Sequence, residues 1–221
     1  MTRLLVLRPQ PGAAATLDKT RALGLETVAI PLFAVEPIAW QAPDAQAFDA
    51  LLLTSANAVR LAGEPLRALR RLKVYAVGEA TAVAAREAGF DIEASGDAGV
   101  ERLLGSIKPD LRLLHLCGAD RREPAHATQE ITRITVYRAT AIQAPDLAAA
   151  EGSIALIHSP RAGKRFAELV DRRSSIAIAA ISETAAEAVG DGWRTIATAA
   201  QPTDDALLAL AASLCEKPDP K

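Results

Sequence analysis

Leu51-Leu52-Leu53-Thr54-Ser55-Ala56-Asn57-Ala58-Val59 reads as an apolar strand that breaks into a small polar turn and then a helix. Ala155-Leu156-Ile157-His158-Ser159-Pro160-Arg161-Ala162-Gly163 has the same grammar, and Ser159 follows Ser55 by 104 positions. Each copy leads into a second strand with a similar turn. Val74-Tyr75-Ala76-Val77-Gly78-Glu79-Ala80-Thr81-Ala82 answers to Ile178-Ala179-Ala180-Ile181-Ser182-Glu183-Thr184-Ala185, with Thr184 103 positions after Thr81. A repeat of this length predicts two similar lobes, and two lobes predict a cleft between them.

Outward from the repeat, short apolar runs alternate with helical ones. Strands are expected at 4–7, 26–30, 50–54, 73–77, 90–94, 112–116, 154–158, 176–181 and 194–197. Helices fit between them at 13–23, 56–63, 79–88, 98–107, 160–170, 183–190 and 203–215, with Gly24, Gly89 and Gly192 at helix exits and Pro160 at a first helical position. Continuously apolar strands of this kind are buried on both faces, as in parallel sheets covered by helices. The fold class expected is α/β, with two doubly wound (flavodoxin-like, Rossmann-like) parallel-sheet lobes.

Two extended stretches, around Phe33-Ala34-Val35-Glu36 and Ile134-Thr135-Val136-Tyr137, interrupt the alternation. They are read as a two-strand linker, residues 32–39 and 132–142. Residues 40–131 then form an inserted α/β lobe, and residues 1–31 with 143–221 a discontinuous one. Such a two-lobed chain is expected to hinge around its ligand.

With half of its 221 residues hydrophobic and 24% charged, the chain can bury ordinary cores. The formal net charge of −2 argues against a general nucleic-acid binder. The apolar run near the N-terminus is too short for a signal peptide, and no run has membrane-spanning length. Cys117 and Cys215 show no metal spacing and no CxxC pair, so a cytoplasmic chain with reduced thiols is expected.

In doubly wound sheets ligands bind beyond the carboxyl ends of the strands, where helices start. Helix starts expose unpaired backbone amides and the positive end of the helix dipole, so they bind anions without a basic side chain. The turns at Ser55, Gly78, Ser159 and Ser182 fit this description, and Thr81 and Thr184 add hydroxyls beside them. Taken singly, each hydroxyl reads first as a helix N-cap or a first-turn hydrogen-bond partner. Together they suit a ligand carrying several carboxylates or phosphates. Arg8-Pro9-Gln10 stands where a dinucleotide fingerprint would lie, and no phosphate-loop Gly-Lys-Ser/Thr occurs. His115, His126 and His158 lack zinc-like spacing and read as structural, and Ser159 lacks a nucleophile elbow. Tyr137 reads either as an amphipathic linker residue or as a proton donor, since a phenol is protonated at neutral pH.

The ordered set Leu7-Arg8-Pro9, Leu53-Thr54-Ser55-Ala56-Asn57-Ala58-Val59, Val77-Gly78-Glu79-Ala80-Thr81-Ala82, Val136-Tyr137-Arg138, His158-Ser159-Pro160-Arg161-Ala162 and Ile181-Ser182-Glu183-Thr184-Ala185 resembles the uroporphyrinogen-III synthase family. The resemblance implies a lyase without a cofactor or metal, acting on the linear tetrapyrrole hydroxymethylbilane in tetrapyrrole (heme) biosynthesis. It would expel the terminal hydroxyl as water, invert the last pyrrole ring through a spirocyclic intermediate and close the macrocycle. By the same comparison Tyr137 assists hydroxyl departure and Arg8, Ser55, Asn57, Thr81, Ser159 and Thr184 line the cleft; the turns at Gly78 and Ser182 complete the expected substrate-binding set. A monomer is implied, in transient contact with hydroxymethylbilane synthase and with neither nucleic acid nor membrane. Ser182 departs from the family's usual glycine, and the short stretch from Gly118 to Tyr137 leaves Arg121 and Arg122 without an assigned role. The rival expectation is a non-catalytic two-lobed binding protein for a small polyanionic metabolite.

Overall fold

The computed structural model describes residues 2–96, 99–120, 124 and 126–216. In chain order the first half contains β1 (Leu4–Val6), α1 (Gly12–Ala22), β2 (Thr27–Ala29), β3 (Phe33–Pro37), β4 (Ala50–Leu53), α2 (Ala56–Arg60), β5 (Lys73–Val77), α3 (Glu79–Glu87) and β6 (Ile92–Gly96). The second half contains α4 (Val100–Ser106), β7 (Arg112–Gly118), β8 (Glu130–Ala141), β9 (Ile154–Ile157), α5 (Pro160–Leu169), β10 (Ala177–Ala180), α6 (Glu183–Glu187), β11 (Thr195–Thr198) and α7 (Asp204–Glu216).

All four residues of each of the strands β4, β9 and β10 are buried, as their unbroken apolar runs predict. Successive side chains still divide between two faces. Leu51 and Leu53 of β4 pack with Leu114 and Leu116 of β7 beneath α2 and α3. Ala50 and Leu52 pack with Leu113, and with Leu103 and Leu104 of α4, on the opposite face. In the other sheet, Leu4, Val6, Ile154 and Leu156 meet Leu207, Leu208 and Ala211 of α7. Phe166 of α5 is fully buried and stacks on Trp193 at 5.3 Å between ring centroids.

The chain divides into two compact units, Met1–Ala34 with Ala141–Lys221, and Val35–Thr140. A five-stranded sheet of order β11-β10-β9-β1-β2 is parallel throughout. A six-stranded sheet has the order β3-β8-β7-β4-β5-β6, and from β8 to β6 every pairing is parallel. The stretches read as linker strands thus lie within the six-stranded sheet, as β3 and β8. Ile38 N–H donates to Val136 and Ile142 N–H to Leu32, both at 2.9 Å. These pairings run in opposite senses, so β3 is antiparallel to β8.

The first unit has strand order 2-1-3-4-5 in its own count, the flavodoxin-like order. The parallel part of the second is 3-2-1-4-5, the Rossmann order. The two are one sheet entered at different points. In both, the order of direction reverses beside a central pair, β1 with β9 and β7 with β4. β9 and β10 therefore hold the places of β4 and β5, and β1 holds the place of β7. The 104-residue repeat joins these equivalent places.

Several helices stop sooner than their apolar pattern suggests. α2 ends at Arg60 because Gly63 adopts φ +68 and Pro65 opens a 3₁₀ turn over Glu64–Leu69. α6 ends at Glu187, and the exit glycine is Gly190 (φ +64), ahead of the expected Gly192. At the end of α3 the amide of Gly89 bonds the Arg86 carbonyl and that of Phe90 the Ala85 carbonyl, at 2.9 and 3.0 Å. This closure needs the left-handed φ of +86 at Gly89. Among the described residues no helix is long and apolar enough to cross a membrane.

Gly163 lets α5 and α6 approach closely. A Cβ there would lie 3.0 Å from both the Ala185 carbonyl oxygen and Val189 Cγ1. Gly163→Val is expected to lower stability by about 1–3 kcal/mol through overpacking. Gly105→Ala, in α4 with nothing within 4 Å, should raise it by about 0.5–1 kcal/mol. Urea midpoints check both, and equal midpoints would contradict the packing account.

Candidate functional site

Polar groups reach the surface of a doubly wound sheet chiefly at its carboxyl edge, and the expected site residues lie there in each unit. In the second unit β8, β7, β4 and β5 are consecutive neighbours. Ser55 follows β4 and caps α2, its Oγ accepting from the Asn57 amide at 3.2 Å. Thr54 beside it bonds His115 Nε2 at 3.0 Å, and His115 is buried in β7. Gly78 follows β5 with φ +82 and ψ 144, a conformation open to glycine, so the chain turns into α3 without a side-chain cap. Thr81 in the first turn of α3 is only 4% exposed. Its hydroxyl is therefore not displayed as freely as an open helix start implies.

In the first unit β10, β9 and β1 are likewise consecutive. Ser159 caps α5 by accepting from the Ala162 amide at 3.2 Å. Ser182 caps α6 by accepting from the Ala185 amide at 3.3 Å, and its Oγ lies 3.1 Å from Thr184 Oγ1. Ser182 occupies the place equivalent to Gly78 yet sits at φ −157, ordinary extended backbone. A serine is tolerated there because its side chain supplies the cap that Gly78 lacks. The three serines are thus true N-caps. A cap uses the hydroxyl oxygen as acceptor and leaves the O–H hydrogen to donate elsewhere. α2 and α6 are five residues long, so their starts offer local amides rather than a developed dipole.

Arg8, at the end of β1, is engaged within its own unit. Its Nη1 lies 3.4 Å from Asp204 Oδ1 and 3.5 Å from Thr16 Oγ1. The guanidinium lies so close over Gly12 that a Cβ there would overlap it. About a third of the side chain remains exposed. Asp204, in the first turn of α7, also accepts from Thr16 at 3.2 Å and meets Lys19 at 3.6 Å. His158 Nε2 lies 3.0 Å from the same Oδ1. Burial, reinforced by the Arg8 charge, pushes the His158 imidazole below its usual range despite the opposing pull of Asp204. Burial alone would raise the Asp204 carboxyl. The His158 hydrogen bond and the charges of His158, Arg8 and Lys19 more than offset that, and it is lowered. A neutral His158 donating from Nε2 to an ionised Asp204 satisfies both directions.

Tyr137 is placed by an irregularity. The β7–β8 ladder pairs Leu116 with Ile134 and Cys117 with Thr135, then jumps to Gly118 with Tyr137. Val136 is the extra residue, a bulge in β8. Ile131 packs on the α4 face and Ile134 and Val136 on the other, as alternation demands. Tyr137 breaks the alternation and packs on the same face as Val136. The bulge aims the phenol at the carboxyl end of β7.

The structure thus gathers Ser55, Asn57, Gly78, Thr81 and Tyr137 on one carboxyl edge and Arg8, Ser159, Ser182 and Thr184 on the other. Sequence reasoning missed Asp204 and Gly118. The sequence predicts a helix over 203–215, but nothing in it ties Asp204 to Arg8. Arg121 and Arg122 lie outside the described residues. Among the described residues no group of three or more His, Cys, Asp and Glu side chains could hold a metal ion.

The model of the family described as uroporphyrinogen-III synthase HemD matches residues 14–209. The protein named uroporphyrinogen-III synthase in Chlorobaculum parvum is 32% identical over 102 residues, 42% of this chain and 42% of that protein. The chain thus matches less than half the length of that curated relative. The crystal structure of uroporphyrinogen-III synthetase from Helicobacter pylori superposes with a TM-score of 0.67 at 19% identity, covering 97% of this chain and 100% of that one. A mutant uroporphyrinogen III synthase from Thermus thermophilus gives 0.52 at 15% identity over 98% and 100%. At these identities the solved structures establish the fold.

The His158–Asp204 pair makes stability depend on pH. An unfolded imidazole takes up a proton below about pH 6.5 that the folded site resists. The contribution of His158 is therefore complete above that pH and lost as pH falls below it. Asp204 acts in the same direction in more acid solution, below the ordinary carboxylate value. Urea midpoints of the wild type should fall from pH 7.5 to pH 5, and His158→Gln, which keeps an N–H donor but does not titrate, should flatten the slope. Equal slopes would refute this account.

Proposed function

The chain belongs to the uroporphyrinogen-III synthase family, and on that premise we propose that it closes hydroxymethylbilane to uroporphyrinogen III with loss of water. The observation that carries the proposal is that each unit, taken by itself, has a carboxyl edge with serine-capped helix starts, and that a bulge in β8 aims one phenol at the carboxyl end of β7. A bilane with eight acetate and propionate groups needs many weak anion contacts. Each exposed helix start contributes only about 0.3–1 kcal/mol, so no single turn anchors it. Ser55, Ser159 and Ser182 would donate their hydroxyl hydrogens to carboxylates, beside the backbone amides of the same turns. Arg8 would add the exposed part of its guanidinium, with Asp204 keeping it in place.

In this reading Tyr137 donates its proton to the terminal hydroxyl, which leaves as water. The chain then closes through its inverted last ring, and the pyrrole proton released at closure returns to the phenolate. The reaction is a hydro-lyase cyclisation. Holding the bilane folded supplies much of the catalysis, because orientation of joined reactants is worth several kcal/mol.

Incubated with freshly made hydroxymethylbilane, the protein is expected to yield mainly the type III isomer. The type I product of spontaneous closure alone would remove the enzymatic reading and leave a polycarboxylate binder. Tyr137→Phe should lower kcat by about 100-fold or more, the range of a general acid, with product affinity nearly unchanged. An unchanged rate would return Tyr137 to a packing role.

A further inference from the structure

We propose that Gly118 is a positioning residue for Tyr137, the empty side of its backbone forming the seat in which the phenol lies. The inference rests on the reading of Tyr137 as proton donor. Gly118 ends β7 and is buried. A Cβ built on it would lie 2.7 Å from Tyr137 Cζ, 2.8 Å from Cε2 and 2.9 Å from the phenol oxygen. Carbon atoms in contact stand about 3.5–4.0 Å apart, so one methyl group would displace the ring tip by roughly 1 Å. Gly118 is not among the glycines with positive φ, so its backbone tolerates a side chain. What excludes one is the ring.

Two features hold the ring in this seat. The extra Val136 turns Tyr137 onto the face it occupies, and the Ala119 amide bonds the Tyr137 carbonyl at 2.9 Å, closing the ladder beyond the bulge. The space a Gly118 side chain would fill is then taken by the hydroxyl end of the ring. A shift of about 1 Å in a group that must reach a leaving oxygen costs on the order of 100-fold in rate.

Gly118→Ala tests the assignment. The chain has two tyrosines, Tyr75 and Tyr137, so protein labelled with ¹³C at tyrosine Cζ gives two assignable resonances. In Gly118→Ala the Tyr137 resonance should move and that of Tyr75 stay. kcat should fall about 100-fold while KM stays within about twofold. In a Tyr137→Phe background the same substitution should cause little further loss, because the positioned proton is already gone. Should Gly118→Ala also lower stability, the loss should vanish in a Tyr137→Ala background, where the opposing atoms are absent. An unmoved Tyr137 resonance, or an equal loss of activity with and without the phenol, would overturn the role of Gly118. Full activity of Tyr137→Phe alone would instead sink the proton-donor reading, so the two failures are told apart.

Discussion

A parallel strand buried on both faces can present polar groups only at its ends. That constraint shapes this protein. Ala50–Leu53, Ile154–Ile157 and Ala177–Ala180 spend every side chain on packing. The chemistry is left to the few residues that follow each strand, where the backbone must turn and start a helix. Serine serves at three such turns because it caps the helix with its oxygen and still has a hydrogen to offer. The turn after β5 solves the same problem with glycine instead, by backbone conformation.

The repeat could be read from residues because equivalent places in the two sheets impose equivalent demands. An apolar run, a small polar turn and an alanine-rich helix recur wherever a strand beside the central pair meets its crossover. The order of the strands could not be read, since the permutation relating the sheets leaves no mark on local composition. Helix lengths were overestimated for a physical reason. The apolar pattern continues past Arg60 and Glu187, while Gly63, Pro65 and Gly190 end the hydrogen-bonding sooner.

The site was legible in part. Ser55, Ser159 and Ser182 stand at helix starts, as their neighbours announce. Arg8 shows what sequence conceals: its counter-ion Asp204 is 196 residues away and no spacing rule connects them. Much of the Arg8 side chain is consequently held by its own unit instead of facing outward. The placement of Tyr137 was equally hidden, because a bulge in a β-branched run does not disturb the alternation until the register is known. A one-residue slip decides which face the phenol occupies.

The antiparallel pairing of β3 with β8 bears on how a domain can interrupt another without penalty. To the first unit, Val35–Thr140 is a loop of more than a hundred residues. Left unstructured, such a loop would oppose closure by roughly 4 kcal/mol of chain entropy. Its two ends instead leave side by side, tied by the Ile142–Leu32 and Ile38–Val136 hydrogen bonds. Once the insert has folded, the outer unit meets the equivalent of a short hairpin turn. The strand pair thus acts as an entropic clasp, letting a split sequence assemble with the topological simplicity of a continuous one.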